Sequence, residues 1–210
     1  MKRLQNKQRS CRACSALLKT PSKLGRYILV FLFLFSACLF STGYLRAEPV
    51  AVKVIFDKQY YPAALKAIEE AKESINFAVF EIRYYPEYPQ SPSNLLIDGL
   101  VLAIKRGVNV EVCLEQSKGY NQDNALDNLK VAYKLVNGGV KVYLDNPKKT
   151  LHAKFLVVDR RLVLLGSTNW AYRSLNDNWE TNLLVDSRKI AEELLNYFET
   201  IKKDSKPFKL

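Results

Sequence analysis

Short apolar segments alternate with amphipathic segments from residue 49 onward, and this alternation restricts the possible folds more than any other feature. Segments of strand length rich in Val, Ile and Leu are predicted as strands, and apolar residues at helical spacing as helices. The predicted strands are Ala51–Phe56, Ile75–Ile82, Val108–Leu114, Val140–Leu144, His152–Val158, Leu162–Leu165 and Thr181–Val185. The predicted helices are Pro62–Ser74, Asn94–Arg106, Asn124–Val136 and Lys189–Ile201. This order predicts a single α/β domain, in which helices flank a mixed β-sheet.

The first 47 residues differ in composition and are predicted to be a separate segment, followed by the domain at residues 48–210. They contain nine Lys and Arg but no Asp or Glu, and Arg26 and Arg46 bracket nineteen uncharged residues. A basic stretch before an apolar one is typical of a secretory signal peptide, with a cleavage site after Ala47. The length also suits an uncleaved membrane anchor, and Cys38 lies in a sequence that resembles a bacterial lipobox. All three interpretations place the domain outside the cytoplasm, as a periplasmic, secreted or membrane-anchored protein.

The net charge of the whole chain is a poor guide to its partners. The chain has 32 Lys and Arg against 21 Asp and Glu, a formal charge of +11. Because nine of the basic residues precede residue 48, the domain itself carries only +2. An anionic partner must therefore be inferred from individual residues. The chain also contains neither a G-x-G-x-x-G sequence nor a P-loop, so a nucleotide cofactor has no support.

Four polar residues near the fifth and sixth predicted strands form the candidate catalytic group. His152 is the only histidine of the chain, and Lys154 is expected on the same strand face because it lies two residues later. Ser167 and Asn169 have the same spacing after the next strand. An imidazole beside an ammonium is costly at the start of an apolar strand unless an anion lies between them. The four side chains therefore predict a site for a phosphate diester.

These residues belong to the pattern H-x-K-x4-D-x6-G-S-x-N, which comprises His152, Lys154, Asp159, Gly166, Ser167 and Asn169. The pattern resembles the HKD motif of the phospholipase D superfamily and matches it at every signature position. Over about residues 50–203 the chain is similar to single-motif members, namely bacterial Nuc-type endonucleases and mitochondrial Zucchini-type proteins. The resemblance implies the αβα sandwich of that superfamily. It also implies a catalytic group formed by His152, Lys154, Asp159, Ser167, Asn169 and Glu180.

The resemblance implies a ping-pong reaction that needs two histidines. One attacks phosphorus and becomes a phosphohistidine, while the other protonates the leaving oxygen. Because this chain has one histidine and no internal repeat, two copies are predicted to form a homodimer with a composite site. Lys154, Ser167 and Asn169 are expected to stabilise negative charge on the phosphate oxygens. Glu180 is expected to accept a hydrogen bond from the second imidazole nitrogen of His152.

One member of this group, Asp159, and four further residues need separate interpretation. Asp159 belongs to the motif, but strand alternation turns it away from His152 and favours a structural role. Lys148 and Lys149 precede the motif and could bind neighbouring phosphates, or could belong to a solvated turn. Arg83 and Tyr84 belong to a basic aromatic loop that could contact bases or a lipid surface, or pack on its own sheet.

Three functions follow from these residues and the resemblance. The favoured one is a phosphodiester hydrolase, an endonuclease acting on DNA or RNA as a homodimer. The alternative is a phospholipase D that hydrolyses phospholipids or transfers their head groups. The second alternative is a membrane-anchored nucleic-acid-binding protein without catalysis, which the intact motif argues against. The sequence contains no cluster of Asp, Glu and His at metal-binding spacing, so neither a metal nor another cofactor is predicted.

Overall fold

The computed structural model describes residues 50–116 and 122–210; the predicted signal or anchor segment and the boundary after residue 47 lie outside these ranges. The described residues contain five α-helices and one 3₁₀ helix, Asp57–Gln59. The helices are α1 Tyr60–Glu70, α2 Pro92–Lys105, α3 Gln122–Asn137, α4 Tyr172–Asn176 and α5 Arg188–Lys203. The strands are β1 Ala51–Phe56, β2 Ser74–Val79, β3 Asn109–Leu114, β4 Lys141–Leu144, β5 Phe155–Val158, β6 Leu162–Gly166, β7 Thr181–Asp186 and β8 Lys206–Phe208.

The described strands form one mixed sheet in the order β1-β7-β6-β5-β2-β3-β4-β8. Strands β2, β3 and β4 are parallel to one another, whereas β5 is antiparallel to both β2 and β6. The outer strands β1 and β8 pair antiparallel with β7 and β4. The predicted fold class, a mixed sheet flanked by helices, is confirmed.

Strand β5 shows why the sheet is covered on both faces. All four of its residues are buried, and they alternate between two apolar cores. Leu156 and Val158 belong to the core that contains residues of α1, α2 and α3, whereas Phe155 and Val157 pack in the core beneath α5. A strand buried on both faces has an uninterrupted apolar sequence, and the β5 sequence FLVV is of this kind.

The structure corrects several predicted boundaries. β5 begins at Phe155 instead of His152, because β2, its partner on one side, pairs with it only from Phe155 onward. β2 itself ends at Val79 instead of Ile82. Helix α4 and strand β8 were not predicted. The first has only five residues, and the second contains Pro207, which is tolerated here because β8 is an edge strand.

None of the helices within the described ranges combines the length and the apolar character needed to cross a membrane.

Asp159 lies at the end of β5 opposite to His152 and joins that end to the turn before β2. Its carboxylate accepts backbone hydrogen bonds from Lys72, Glu73 and Ser74 at 2.9, 2.8 and 3.0 Å. Partial burial acts to raise the pKa of Asp159, but the three amide donors outweigh it and hold the pKa below its usual value. These are the contacts of a structural residue.

We expect Asp159→Asn to lower the free energy of unfolding by about 1–2 kcal/mol at pH 7, since an amide offers one acceptor oxygen where three donors converge. A carboxyl with a depressed pKa stabilises the fold above its unfolded pKa, and this contribution is lost as the pH falls through the folded pKa. The difference between wild type and variant should therefore shrink below about pH 4 in urea titrations. Asp177→Asn, at an exposed position, is the matched control. A difference that is absent at pH 7, or constant down to pH 3, would contradict this assignment.

Candidate active site

Polar residues collect at one edge of the sheet because of how the central strands run. β5 starts at the edge where β6 ends, since the two are antiparallel, and β2 also ends there. His152 and Lys154 precede β5, whereas Ser167 and Asn169 follow β6. Glu180 precedes β7, whose first residues pair with the last residues of β1 and β6. The fold thus brings these five candidate residues to the same edge.

His152 and Lys154 both lie against the ring of Phe80, just beyond β2. The imidazole and phenyl centroids are 4.8 Å apart, and the Lys154 ammonium lies 5.0 Å from the phenyl centroid. The ammonium also donates a hydrogen bond of 2.8 Å to the carbonyl of His152. The His152 side chain is exposed and Lys154 is half-buried. The histidine therefore presents its ring to solvent beside a cation that has no carboxylate within salt-bridge distance in the described residues.

The segment after β6 is held by buried hydrogen bonds to the start of β7. The side chain of Asn182 is buried; it donates to the Thr168 hydroxyl at 2.8 Å and accepts from the Thr168 amide at 3.3 Å. These bonds fix Thr168, the residue between Ser167 and Asn169. The Asn169 side-chain oxygen accepts from the backbone amide of Glu81 at 3.3 Å. Its amino group is therefore the end of the side chain left to donate to a ligand.

Glu180 differs from the sequence expectation. Its carboxylate accepts a short hydrogen bond from the Ser167 hydroxyl and a 3.3 Å bond from the Asn178 side chain. The expected bond to His152 is not among its hydrogen bonds within the described ranges. Glu180 is buried at 8% exposure, and its backbone amide donates to Asp57 at 2.7 Å. The structure therefore connects this carboxylate to Ser167.

Burial and nearby carboxylates shift the pKa of Lys154 in opposite directions. Desolvation is the larger effect and lowers the pKa of Lys154 below its usual value, while Glu180 and Glu81 partly offset it. A partly dehydrated ammonium interacts more strongly with an incoming anion than one in water.

The four residues assigned to substrate binding fall into two groups. Arg83 forms ion pairs with Glu81 at 2.7 Å and Asp127 at 3.4 Å, so its charge is already compensated. Tyr84 packs against the larger core beneath the Lys134 ammonium, which lies 4.2 Å from its ring centroid. Both contacts match the alternative in which this loop packs on its own domain.

Lys148 and Lys149, in contrast, are exposed and form no salt bridge in the described ranges. Lys149 and His152 line one cavity of about 240 Å³, together with Tyr197 and Asp204 of the α5 region. The cavity gives the candidate site a bounded space beside the imidazole.

Five residues at this edge escaped the sequence analysis: Phe80, Glu81, Glu115, Asp145 and Asn182. Three of them are acidic and closely follow β2, β3 and β4. Because the carboxyl ends of parallel strands meet at one edge, an acidic residue after each apolar run was the available signal. Phe80 and Asn182 carried no such signal, since each reads as an ordinary strand residue.

An imidazole, an ammonium, a hydroxyl and an amide at one edge of an αβα sandwich define a class of site that can surround an anionic phosphate group. No group of three or more His, Cys, Asp and Glu side chains in the described ranges is arranged to hold a metal ion. The family model described as "Cardiolipin synthase, PLD-like domain" matches residues 64–202, and the chain belongs to this phospholipase D-like family. The predicted superfamily membership is confirmed.

Two curated relatives illustrate the range of this family. A phospholipase D of Rickettsia prowazekii is 30% identical over 135 residues, which are 64% of this chain and 58% of the relative. A cardiolipin synthase of Staphylococcus aureus is 32% identical over 136 residues, 64% of this chain but 25% of the relative. The matched region thus spans less than two thirds of either relative.

Among solved structures, Nuc from Salmonella typhimurium, a phospholipase D family member, superposes with a TM-score of 0.64. The two are 22% identical, and the match covers 77% of this chain and all of Nuc. NucT from Helicobacter pylori gives a TM-score of 0.58 at 16% identity, over 76% of this chain and all of NucT. These likenesses show a shared fold.

Gly166 ends β6 in close contact with β7, and we expect Gly166→Ala to destabilise the fold by about 1–3 kcal/mol. A Cβ atom there would collide with the carbonyl of Thr181 and would lie 2.6 Å from the Cα of Asn182. Backbone atoms cannot rotate away, so the turn that bears Ser167 must shift. Gly99→Ala is the control, because its nearest contact is the Ile68 side chain at 3.3 Å. Equal unfolding free energies for the two variants in urea would contradict this prediction.

Proposed function

We propose that the chain is a phosphodiesterase that works without a metal, through a phosphohistidine on His152, at a site shared by two copies of the chain. One observation carries the proposal. The only imidazole of the sequence is exposed beside Lys154, Ser167 and Asn169, all at one sheet edge. Membership in the phospholipase D-like family supports phosphodiester chemistry.

In the proposed first step, a neutral imidazole nitrogen of His152 attacks phosphorus while the bond from phosphorus to the leaving oxygen breaks. The partner's His152, in its protonated form, gives a proton to that oxygen. In the second step, water attacks the phosphohistidine and the now neutral partner's His152 takes the water proton. The phosphorus–nitrogen bond breaks and both imidazoles return to their starting states. One proton shared between two equivalent imidazoles suffices for the cycle.

The neighbouring groups have defined parts in this scheme. The Lys154 ammonium leaves the His152 carbonyl and binds a phosphate oxygen, where charge accumulates in the transition state. The amino group of Asn169 donates to the same phosphate, since its oxygen is held by Glu81. Glu180 acts through Ser167 by fixing the direction of its hydroxyl.

A nucleic acid is the substrate that the surroundings favour. The edge is open, with His152 and Ser167 both exposed, and an open edge admits a long chain. Lys148 and Lys149 supply uncompensated charge next to His152, where phosphates flanking the cleaved one would lie. On the loop that follows β2 and Phe80, Tyr88 is 69% exposed, and exposed tyrosine rings can stack on unpaired bases.

Phospholipids are the second candidate substrate, and the sequence relatives favour them. Proteins at 30% and 32% identity are a phospholipase D and a cardiolipin synthase. The same phosphohistidine could be attacked by water or by an alcohol, giving hydrolysis or head-group transfer. We further propose that the domain acts outside the cytoplasm, which rests on the composition of residues 1–47 alone.

We expect the full-length chain to cleave single-stranded DNA and RNA in the presence of EDTA, and His152→Ala to lose at least about a thousandfold in rate. Lys66→Ala, which removes one exposed charge of a helical pair, is the control and should retain full activity. Turnover of phosphatidylcholine vesicles without nucleic-acid cleavage would replace the first candidate by the second. Nucleic-acid binding without either activity would leave the non-catalytic interpretation.

A composite site predicts a specific response to mixed subunits. If both histidines of a dimer are required, equal amounts of wild type and His152→Ala, allowed to exchange, leave about one quarter of the dimers active. Independent sites would leave about one half of the wild-type activity per total chain. Mixing with Lys66→Ala should cause no loss. Retention of one half, or a monomer by light scattering at the assay concentration, would overturn the shared site.

A further inference from the structure

Two buried acidic residues lie directly behind the candidate nucleophile. Glu115 follows β3 and Asp145 follows β4, and these strands are parallel neighbours that end at the edge where His152 lies. Glu115 is 2% exposed and Asp145 is 3% exposed. Their side chains are joined by a hydrogen bond. Carboxyls buried this deeply require a reason, because removing charge from water is costly.

The pair is bound to the residue that precedes His152. The backbone amide of Leu151 donates to Asp145 Oδ2 at 3.1 Å and also to Glu115 through a short hydrogen bond. The other oxygen of Asp145 accepts from the backbone amide of Gln116 at 2.8 Å. Leu151 itself is buried in the core beneath α5. The amide immediately before the candidate nucleophile thus donates to two carboxyls.

The surroundings of Asp145 offer it no ion pair within the described ranges. The other titratable groups that line the same cavity are Lys149 and His152 on its own loop and Tyr197 and Asp204 from the α5 region. The Cys113 thiol lies on β3 and also interacts with it electrostatically.

Burial is the largest effect on Asp145, followed by the hydrogen bond with Glu115, and together they raise the pKa of Asp145 to about 7. The amides of Gln116 and Leu151 act in the opposite direction. Below about pH 7 the pair therefore holds a proton, which can lie between the two carboxyls.

We propose that Glu115 and Asp145 are positioning residues for the reaction: by accepting the buried Leu151 amide together, they fix the backbone from which His152 and Lys154 project. This inference rests on the proposed role of His152. A nucleophile must be held within about 0.5 Å of its productive position, and an exposed imidazole on a loop before a strand needs such support.

The proton shared by Glu115 and Asp145 helps to keep both carboxyls at the Leu151 amide. When it is lost, two adjacent buried anions repel each other, and hydration draws them apart. An acid whose folded pKa is raised binds more protons in the folded than in the unfolded state, so the free energy of unfolding declines as the pH rises from about 4 to 7. Each amide bond alone would favour the ionised carboxylate, but the separation of the two anions outweighs this effect, so we expect the bonds from Leu151 to weaken above neutral pH.

Hydrogen exchange on the full-length chain tests this hold without any assay of activity. We expect protection of the peptide containing Leu151, corrected for intrinsic exchange, to fall about tenfold between pH 6 and pH 8 in the wild type. Asp145→Asn has no proton to lose, so it should abolish this step. With its oxygen on Gln116, its amino group can donate to Glu115 but cannot accept from Leu151 as Oδ2 does, so protection should also be lower than in the wild type at pH 6. Asp204→Asn makes the same change in the same cavity and should keep it. A wild type without the step, or a step that persists in Asp145→Asn, would overturn the inference.

Glu115→Gln is the second variant, in case Asp145→Asn does not fold. Its amide oxygen can accept from Leu151 and its amino group can donate to Asp145, so it should also abolish the step. Asp145→Asn removes one of the two acceptors of the Leu151 amide, so it should lower kcat at pH 6 by about tenfold while keeping the KM for single-stranded DNA within about twofold. Glu115→Gln keeps both acceptors and should lower kcat less. Equal changes in kcat for Asp204→Asn would reduce the pair to a structural role.

The two readouts separate the two hypotheses. A pH step in protection in a chain that cleaves neither nucleic acid nor phospholipid would overturn the proposed function and leave the hold on Leu151 established. Activity that depends on His152 in a chain without the step would retain the proposed function and overturn the positioning pair.

Discussion

The antiparallel pairing of β5 with both β2 and β6 is the constraint on which the candidate site depends. It makes the start of β5, the end of β6 and the end of β2 coincide at one edge. The pairing cannot slip by one residue, because a shift would exchange the sets that face the two cores, and both faces of β5 are buried. An apolar strand of four residues therefore sets the positions of polar groups that lie wholly outside it. The bond of 3.2 Å from the Gly166 amide to the Lys154 carbonyl carries this register one pair further, into the candidate site.

This edge carries both acidic and basic side chains, so the positive net charge of the chain does not describe the surroundings of His152. The domain is nearly neutral, and Glu81, Glu115, Asp145 and Glu180 lie close to Lys154 and His152. These carboxyls would not repel a phosphate equally, because their hydrogen bonds and ion pairs differ. Glu81 is paired with Arg83, Glu180 accepts from Ser167, and the remaining two accept backbone amides. Local hydrogen bonding, more than net charge, therefore decides what an anion would meet here.

The sequence predicted the fold class, the major elements and the residues that share this edge, because each rests on local periodicity or on a motif within eighteen residues, His152 to Asn169. It did not predict where the strands end. β5 starts three residues late because pairing with β2, a property of two distant segments, determines its first residue. The same reason explains Arg83 and Tyr84. The sequence of their loop suggests that both side chains can contact a ligand. In the structure, however, Arg83 pairs with Asp127 and the Tyr84 ring contacts the Lys134 ammonium, both from α3. Glu180 was placed beside His152 by resemblance, whereas its contacts in the chain lead to Ser167 and Asn178.

The edge therefore has two layers with different physical demands. The outer layer, with His152 and Ser167, is exposed, and exposure alone would leave its side chains free to move. The inner layer is buried and consists of polar groups whose acceptors are filled by backbone amides: Asn182 on Thr168, and Glu115 with Asp145 on Leu151. Buried hydrogen bonds are costly to break, so the backbone beneath each exposed group is held more firmly than the group itself. An open surface can in this way keep a defined arrangement for phosphate chemistry, because its rigidity comes from the layer that solvent does not reach.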